Sequence, residues 1–261
     1  MVLTLTLLMG TMFTSCMDSG ESGPQQWAGV VKVNDRMGYV TFTDAAGTEL
    51  IPTNTIPVTL NARMAYIYCQ VDEGQDLSTN PKSIKITLLA DPTGIDATAI
   101  TTPKVGESGD VTTNAPVGSL SFVSGYSTVA PFQFSENTIV LPVLYRVKNV
   151  TTTEDIKNEL AKHTFTLVCY TDDIKSGDTI LKLYLRYKVE DEPAAIAERA
   201  TRTSSFKAYE ISQILREYTL KSGQTKPAKI TIVAQQNEYN NKLEDTSTIE
   251  KVYEIEYKTA E

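Results

Sequence analysis

The sequence has 261 residues, of which 41% are hydrophobic and 21% are charged, so it is long enough for one large or two modest globular domains. Its net charge of -8 and its isoelectric point near 4.9 argue against a nucleic-acid partner, which requires a basic surface. The same charge argues against electrostatic adhesion to anionic lipid. With only three cysteines and one histidine, the chain lacks both a disulfide framework and a zinc-ligand spacing.

The N-terminus carries the pattern of a bacterial lipoprotein leader. An uncharged, largely apolar run over residues 2–13 is followed by Ser15 and Cys16, and then by a polar stretch. The run is shorter than the roughly 20 apolar residues of a membrane-spanning helix, which favours a cleaved signal peptide, although no positive charge precedes it. We predict a signal peptide over 1–15, acylation of Cys16, a tether over 16–26 and attachment to the membrane through this lipid. Such a protein resides in the bacterial cell envelope as an outer-membrane lipoprotein, on the periplasmic side or at the cell surface.

Residues 27–90 show the period-two alternation of half-buried strands, with turn residues between the segments. Asp44 and Gly47, for example, suit a tight turn. Five short strands in so small a segment favour a closed or partly open barrel of the OB type, because closure removes the unpaired edges of the sheet. The predicted strands are 28–33, 39–43, 49–52, 64–71 and 83–89.

Residues 91–118 are rich in threonine, proline and glycine, which predicts a linker between two domains. Strand patterns resume over 119–261, most clearly at 179–189, where apolar residues alternate with Lys182 and Tyr184 among others. About seven strands separated by turns favour an immunoglobulin-like β-sandwich, although the cysteine and tryptophan spacing of antibody domains is absent. The predicted strands are 120–124, 138–147, 164–170, 179–189, 204–210, 229–233 and 249–257, and short helices are predicted over 151–162 and 211–218. The predicted fold class is therefore all-β: a small OB-like β-barrel followed by an immunoglobulin-like β-sandwich, with one or two short helices.

Three segments of the first domain carry a family resemblance. They are the turn at 42–44, the segment 47–54 with its leucine and proline at the end of a strand, and the arginine-led aromatic strand at 63–68. Placed behind a lipoprotein leader, they resemble the NigD-like lipoproteins of Bacteroidota. The resemblance implies an N-terminal OB-like domain and a C-terminal β-sandwich, and it supplies no catalytic site. Asp18 and Glu21 also resemble the acidic signal that directs such lipoproteins to the cell surface.

Residue types that carry catalysis or bind metals are sparse. His163, the only histidine, follows a predicted helix and is expected at the helix end or on the surface. The acidic runs at 172–173 and 190–192 carry the oxygen ligands that calcium uses, but such runs between strands are usually solvated turns. Cys69 and Cys169 lie on apolar faces and are expected to be small buried residues, with a disulfide as the alternative. We therefore predict no catalytic residue, no metal and no cofactor.

Residues on strand surfaces supply the candidate ligand contacts. Tyr39 and Thr41 lie on the barrel face that OB folds often use for oligonucleotides or oligosaccharides, and Tyr184 lies on the polar face of the clearest strand. The alternative is that strands simply favour tyrosine. The favoured hypothesis is a non-catalytic, lipid-anchored envelope lipoprotein that acts as a binding or accessory module, with a protein or glycan partner still to be identified. The alternatives are a surface adhesin that binds glycan or host protein, and a hydrolase of envelope polymers.

Overall fold

The computed structural model describes residues 12–13, 25–36, 39–54, 60–75, 77, 81–107, 110–124 and 127–259. The predicted lipidation site at Cys16, and most of the predicted leader and tether, lie outside these residues. Within the described part of the chain, strands dominate and helices are few and short. The predicted all-β fold class is confirmed.

The first part of the chain forms a sheet that closes on itself. Its strands are β1 (Met12–Phe13), β2 (Gln26–Arg36), β3 (Tyr39–Thr43), β4 (Glu49–Pro52), β5 (Met64–Val71), β6 (Ser83–Leu88) and β7 (Thr93–Ile95). The order β2-β3-β4-β6-β5 is completed by a second pairing of β2 with β5, which gives a closed barrel. The strand β2 takes part in two pairings because its first half pairs with β5 and its second half pairs with β3. Because β4 and β6 run parallel while the other barrel pairs are antiparallel, the predicted OB-like barrel is confirmed.

The turn between β3 and β4 shows how local sequence sets this geometry. The Asp44 carboxylate accepts hydrogen bonds from the backbone amides of Ala46 and Thr48 at 2.9 and 2.8 Å. Gly47 follows with a φ of 86°, a left-handed conformation that a side chain would strain. The turn brings β3 and β4 together around a core that consists of Trp27, Val31, Phe42, Leu50, Ala65, Ile67, Cys69, Ile86 and Leu88.

The second part of the chain forms two four-stranded sheets. The strands that follow β7 are β8 (Ala97–Ala99), β9 (Phe122–Ser124), β10 (Ser127–Val129), β11 (Phe132–Ser135), β12 (Thr138–Val147), β13 (His163–Val168), β14 (Ile180–Val189), β15 (Thr201–Glu210), β16 (Lys229–Gln236) and β17 (Ile249–Glu256). One sheet has the order β11-β12-β15-β8 and the other β13-β14-β16-β17, with β14 and β16 parallel. The two strands β9 and β10 pair with each other. Apolar side chains of both four-stranded sheets share one core, which confirms the predicted sandwich.

The strand β14 has the alternation that its sequence predicts. Leu181, Leu183 and Leu185 are fully buried in the sandwich core, whereas Lys182 is exposed and Tyr184 is half-buried on the outer face. One face of this strand therefore stabilises the core, and the other is available for contacts.

The two cysteines within the described residues are both buried and free, as predicted for small hydrophobic residues. Cys69 lies in the barrel core and Cys169 in the sandwich core. Burial raises the pKa of each thiol to about 12, so both stay protonated at neutral pH and are poor nucleophiles.

The described residues group into two compact units, one up to Ala97 together with Val123–Val129, and the other of Thr98–Phe122 together with the chain from Ala130. The segment predicted as a linker, 91–118, is more structured than its composition indicates. It contributes β7, which pairs with β5, and β8, which joins a sheet of the sandwich. Its later part also adds Ala115 and Val117 to the sandwich core.

Three α-helices occur among the described residues: α1 (Thr153–Ala161), α2 (Pro193–Ala197) and α3 (Ser212–Ser222). The predicted helices correspond to α1 and α3, whereas α2 was missed. The side chain of Thr152 caps α1 by accepting from the Asp155 amide at 3.1 Å. None of these helices combines the length and the hydrophobicity that a membrane span requires.

Candidate functional site

A groove of about 500 Å³ opens on the outer face of the sheet that contains β14. Strand alternation places Lys182 and Tyr184 at its floor, and Thr231 of β16 pairs directly beside Lys182. Tyr170, just after β13, and the loop around Asp173 form a wall. The groove thus presents aromatic, cationic and acidic side chains together, which can contact a ligand through ring packing, ion pairs and hydrogen bonds.

Two tyrosines and two cations pack together at this groove. The rings of Tyr170 and Tyr184 lie 5.2 Å apart at an interplanar angle of 61°. Lys182 Nζ lies 5.0 Å from the centroid of the Tyr184 ring, and Arg186 Cζ lies 5.1 Å from the same centroid. The hydrogen bond between Lys182 and Tyr184 raises the pKa of Lys182, so the ammonium group of this side chain stays charged. These cation–π contacts fix the orientation of the Tyr184 ring.

A hydrogen-bond chain holds the wall of the groove in place. Arg186 Nη2 donates to the Tyr170 hydroxyl at 2.8 Å, and this hydroxyl donates to Asp110 Oδ1 at 2.9 Å. The Gly106 amide and the Tyr170 hydroxyl lower the pKa of Asp110. Tyr170 is therefore positioned before any ligand arrives, which reduces the entropic cost of binding.

The two residues predicted on the barrel face, Tyr39 and Thr41, differ in their exposure to solvent. Tyr39 is 55% exposed, but Thr41 is only 2% exposed. The Thr41 hydroxyl donates to Glu49 at 2.8 Å and accepts from Asn34 at 3.4 Å. Thr41 therefore has no free hydrogen to offer a ligand, and of the two predicted residues only Tyr39 is exposed.

The sandwich contains a buried polar cluster that the sequence pattern did not predict. His163 is 8% exposed, so the expectation that it lies at the surface is wrong. Its Nε2 lies 3.3 Å from the Glu159 carboxylate, and its Nδ1 lies 2.6 Å from the Tyr187 hydroxyl. Because an ionised carboxylate only accepts, Nε2 carries the hydrogen and Nδ1 accepts from Tyr187. The cluster is completed by Arg199, which is 1% exposed and donates to Glu159 at 2.7 Å.

The charges of this cluster satisfy one another. Arg199 also donates to Asp191 at 3.1 Å, and Asp191 accepts from Lys148 and Lys162 at 3.2 Å each. These contacts hold the pKa of Asp191 far below its usual range. The acidic side chains of the cluster are thus paired with cations and little exposed, so the cluster is not an open reaction site. Its contacts link α1 and the loop after β14 to the sandwich. Only the spacing of Glu159 and His163, one helical turn apart, could have indicated it from the sequence.

We expect the sandwich to lose stability on acidification in two stages. Burial lowers the pKa of His163 below its ordinary 6.5, so the unfolded chain binds the proton first and stability falls as the pH drops below about 6.5. Burial opposes ionisation of Glu159, but hydrogen bonds from the Lys148 amide, Arg199 and His163 bring its pKa below 4.5. A second loss therefore follows below about pH 4.5 as Glu159 is protonated. Denaturant unfolding across the range measures both stages, and constant stability between about pH 7 and 5.5 contradicts a neutral buried His163.

Within the described ranges, no three His, Cys, Asp or Glu side chains converge on a point that could hold an ion. The acidic run at 172–173 instead contacts a cation, since Lys221 Nζ lies 3.0 Å from Asp172.

An OB-like barrel followed in sequence by a two-sheet sandwich defines the class as an all-β protein with the NigD-like fold. A NigD-like immunity protein from Bacteroides caccae shares this fold at 10% identity, with a TM-score of 0.51 over 86% of this chain and 90% of its own. A Bacteroides vulgatus protein of unknown function shares it at 11% identity, with a TM-score of 0.55 over 89% and 91% of the two chains.

The crystal structure of a "putative lipoprotein" from Bacteroides fragilis is 97% identical to this chain. Its TM-score is 0.84, and the match covers 91% of this chain and all of that one. The chain therefore belongs to the same family as this Bacteroides fragilis protein. No protein-family model matches the sequence, and none of the curated proteins matches it.

Proposed function

We propose that this protein is a non-catalytic, lipid-anchored binding or accessory module of the bacterial cell envelope. The observation that carries the proposal is the preorganised groove at Tyr170, Tyr184 and Lys182, which offers contacts to a ligand but no nucleophile with an adjacent base. The buried cluster at Glu159 and Arg199 is closed by its own ion pairs. Both features favour binding over catalysis, so a hydrolase of envelope polymers is the weaker alternative.

The anchor in this proposal is an acyl group on Cys16. The apolar run over 2–13 and the polar stretch after Cys16 support it, as does the family relationship to a Bacteroides fragilis protein described as a "putative lipoprotein". Several acyl chains on one residue give stable membrane attachment, whereas a single chain binds only marginally. The described domains then extend from the outer membrane, into the periplasm or to the cell surface.

A specific observation favours a second, narrower candidate, a surface adhesin that binds glycan. Sugar rings present CH faces that pack on tyrosine rings and hydroxyl groups that pair with both charged and neutral polar side chains. The groove offers Tyr184 together with Lys182, Asp173 and Thr231. This mixture of one aromatic floor with donors and acceptors around it fits a saccharide better than a purely apolar ligand.

We expect Tyr184→Ala to weaken ligand binding by roughly 10-fold or more, because truncation of a central aromatic anchor removes most of its contact energy. The measurement is binding of the purified protein to an array of neutral and acidic glycans, followed by titration of any positive glycan. The matched control is Tyr239→Ala, since Tyr239 is 77% exposed on a loop after β16 and lies outside the groove.

Three outcomes of this experiment bear on the glycan-binding candidate. Binding that is lost in Tyr184→Ala and kept in Tyr239→Ala supports the glycan-binding groove. An array that stays blank with the wild-type protein removes the glycan adhesin, and equal loss in both variants contradicts the assignment of the groove.

A further inference from the structure

Two arginines stand side by side on the outer face of the other sandwich sheet. Arg146 of β12 and Arg202 of β15 are directly opposite each other in the antiparallel pairing. Like charges in directly opposite positions on neighbouring strands repel and destabilise a sheet. Although the chain as a whole has a net charge of -8, this local pair of positive charges requires a nearby negative charge to offset the repulsion.

Both arginines converge on one backbone oxygen. Arg146 Nη2 donates to the carbonyl of Glu238 at 2.5 Å, and Arg202 Nη2 donates to the same oxygen at 2.7 Å. Arg146 Nη1 donates to the carbonyl of Ala200 at 3.2 Å. These acceptors are neutral, so they orient the two guanidinium groups without cancelling their charge.

The compensating charge is missing among the described residues. No carboxylate in the described part of the chain lies within 4.0 Å of either guanidinium. Arg146 is only 8% exposed, and its Nε has no hydrogen-bond partner there. Burial, followed by repulsion from Arg202, lowers the pKa of Arg146. A buried cation with an unfilled donor beside a second cation is costly unless an anion joins them.

We propose that Arg146 and Arg202 form an anion site that takes a phosphate or sulfate group. Arg202 is exposed and offers accessible N–H donors. Arg146 is buried beside it and supplies a second positive charge in a fixed position. Guanidinium groups match tetrahedral oxyanions through paired N–H donors, and two of them together favour a doubly charged group over a monovalent carboxylate. This site lies on β12 and β15, away from the strand β14 that forms the floor of the groove.

Thermal unfolding of the full chain with inorganic phosphate, against sodium chloride at matched ionic strength, tests the site. We expect phosphate to raise Tm by about 3 °C at saturation, since an anion that binds only the folded state stabilises it by mass action. In Arg202→Gln this rise disappears, and without phosphate the variant is as stable as the wild type or more so, because the repulsion is gone. Arg216→Gln is the matched control, since Arg216 is exposed on α3, and it keeps the full rise.

Glycerol 3-phosphate distinguishes the source of the group. A rise with both probes assigns the site to a phosphate group carried on a larger molecule, and a rise with inorganic phosphate alone assigns it to the free ion. No rise in the wild type with either probe overturns the proposal. It is equally overturned if Arg202→Gln keeps the rise, or if this variant is destabilised without phosphate, which assigns the arginines to holding the Glu238 loop alone.

Discussion

Replacement of Cys16 by serine is expected to move the protein from the membrane fraction to the soluble fraction. Serine cannot accept the thioether-linked lipid, so the leader is not processed by the lipoprotein route and no acyl chain is attached. Each buried CH₂ of an acyl chain contributes about 0.8 kcal/mol of membrane affinity, so loss of all the chains abolishes attachment. Fractionation of cells that express the full chain, with extraction by detergent but not by salt, measures the change.

Cys69→Ser is the matched control for this experiment. Cys69 is a buried thiol of the barrel core and lies far along the chain from the leader, so its replacement leaves the protein in the membrane fraction. If Cys16→Ser remains with the membrane, the lipid on Cys16 is not what attaches the protein.

Glu159→Gln is expected to lower the free energy of unfolding of the sandwich by about 3 kcal/mol. The Glu159 carboxylate accepts from Arg199, from His163 and from the Lys148 amide, and it is 5% exposed. Removal of one partner from a buried ion pair leaves the other charge desolvated and incompletely paired. The remaining contact of Arg199 with Asp191 keeps the loss at the lower end of the usual range. Denaturant unfolding at neutral pH measures the difference.

The double variant Glu159→Gln/Arg199→Met tests whether the two residues act as a pair. If they do, the double variant loses less stability than the sum of the two single variants. Glu136→Gln is the control, because Glu136 is exposed in the turn before β12, and it changes stability by no more than about 0.5 kcal/mol. A loss in Glu159→Gln as small as that of the control contradicts the structural role of the cluster.

Regular strands were predictable because their alternation is encoded locally. The bounds predicted for β3, β4, β5 and β12 agree with the structure, and the outward position of Tyr184 follows from the period-two pattern of β14. The strands β7 and β8 were not predicted because three residues are too few to show an alternation of apolar and polar side chains. Their pairing depends on neighbours that are distant in sequence, which composition alone does not reveal.

In the candidate site, too, residues with a local sequence pattern were predictable, and residues that depend on distant contacts were not. Tyr184 was identified from its own strand, but Tyr170 was not, since its role depends on packing against Tyr184 and on Arg186. The burial of His163 was missed because Arg199, which completes the buried cluster, lies 40 positions after Glu159. Interactions across such separations are decided by the fold, not by local pattern.

The most direct test of a lipid anchor on Cys16 is the intact mass of the N-terminal peptide of the mature protein purified from bacterial membranes. We expect a chain that begins at Cys16 and carries the mass of its acyl groups. A mature N-terminus at any other residue, or an unmodified Cys16, contradicts it.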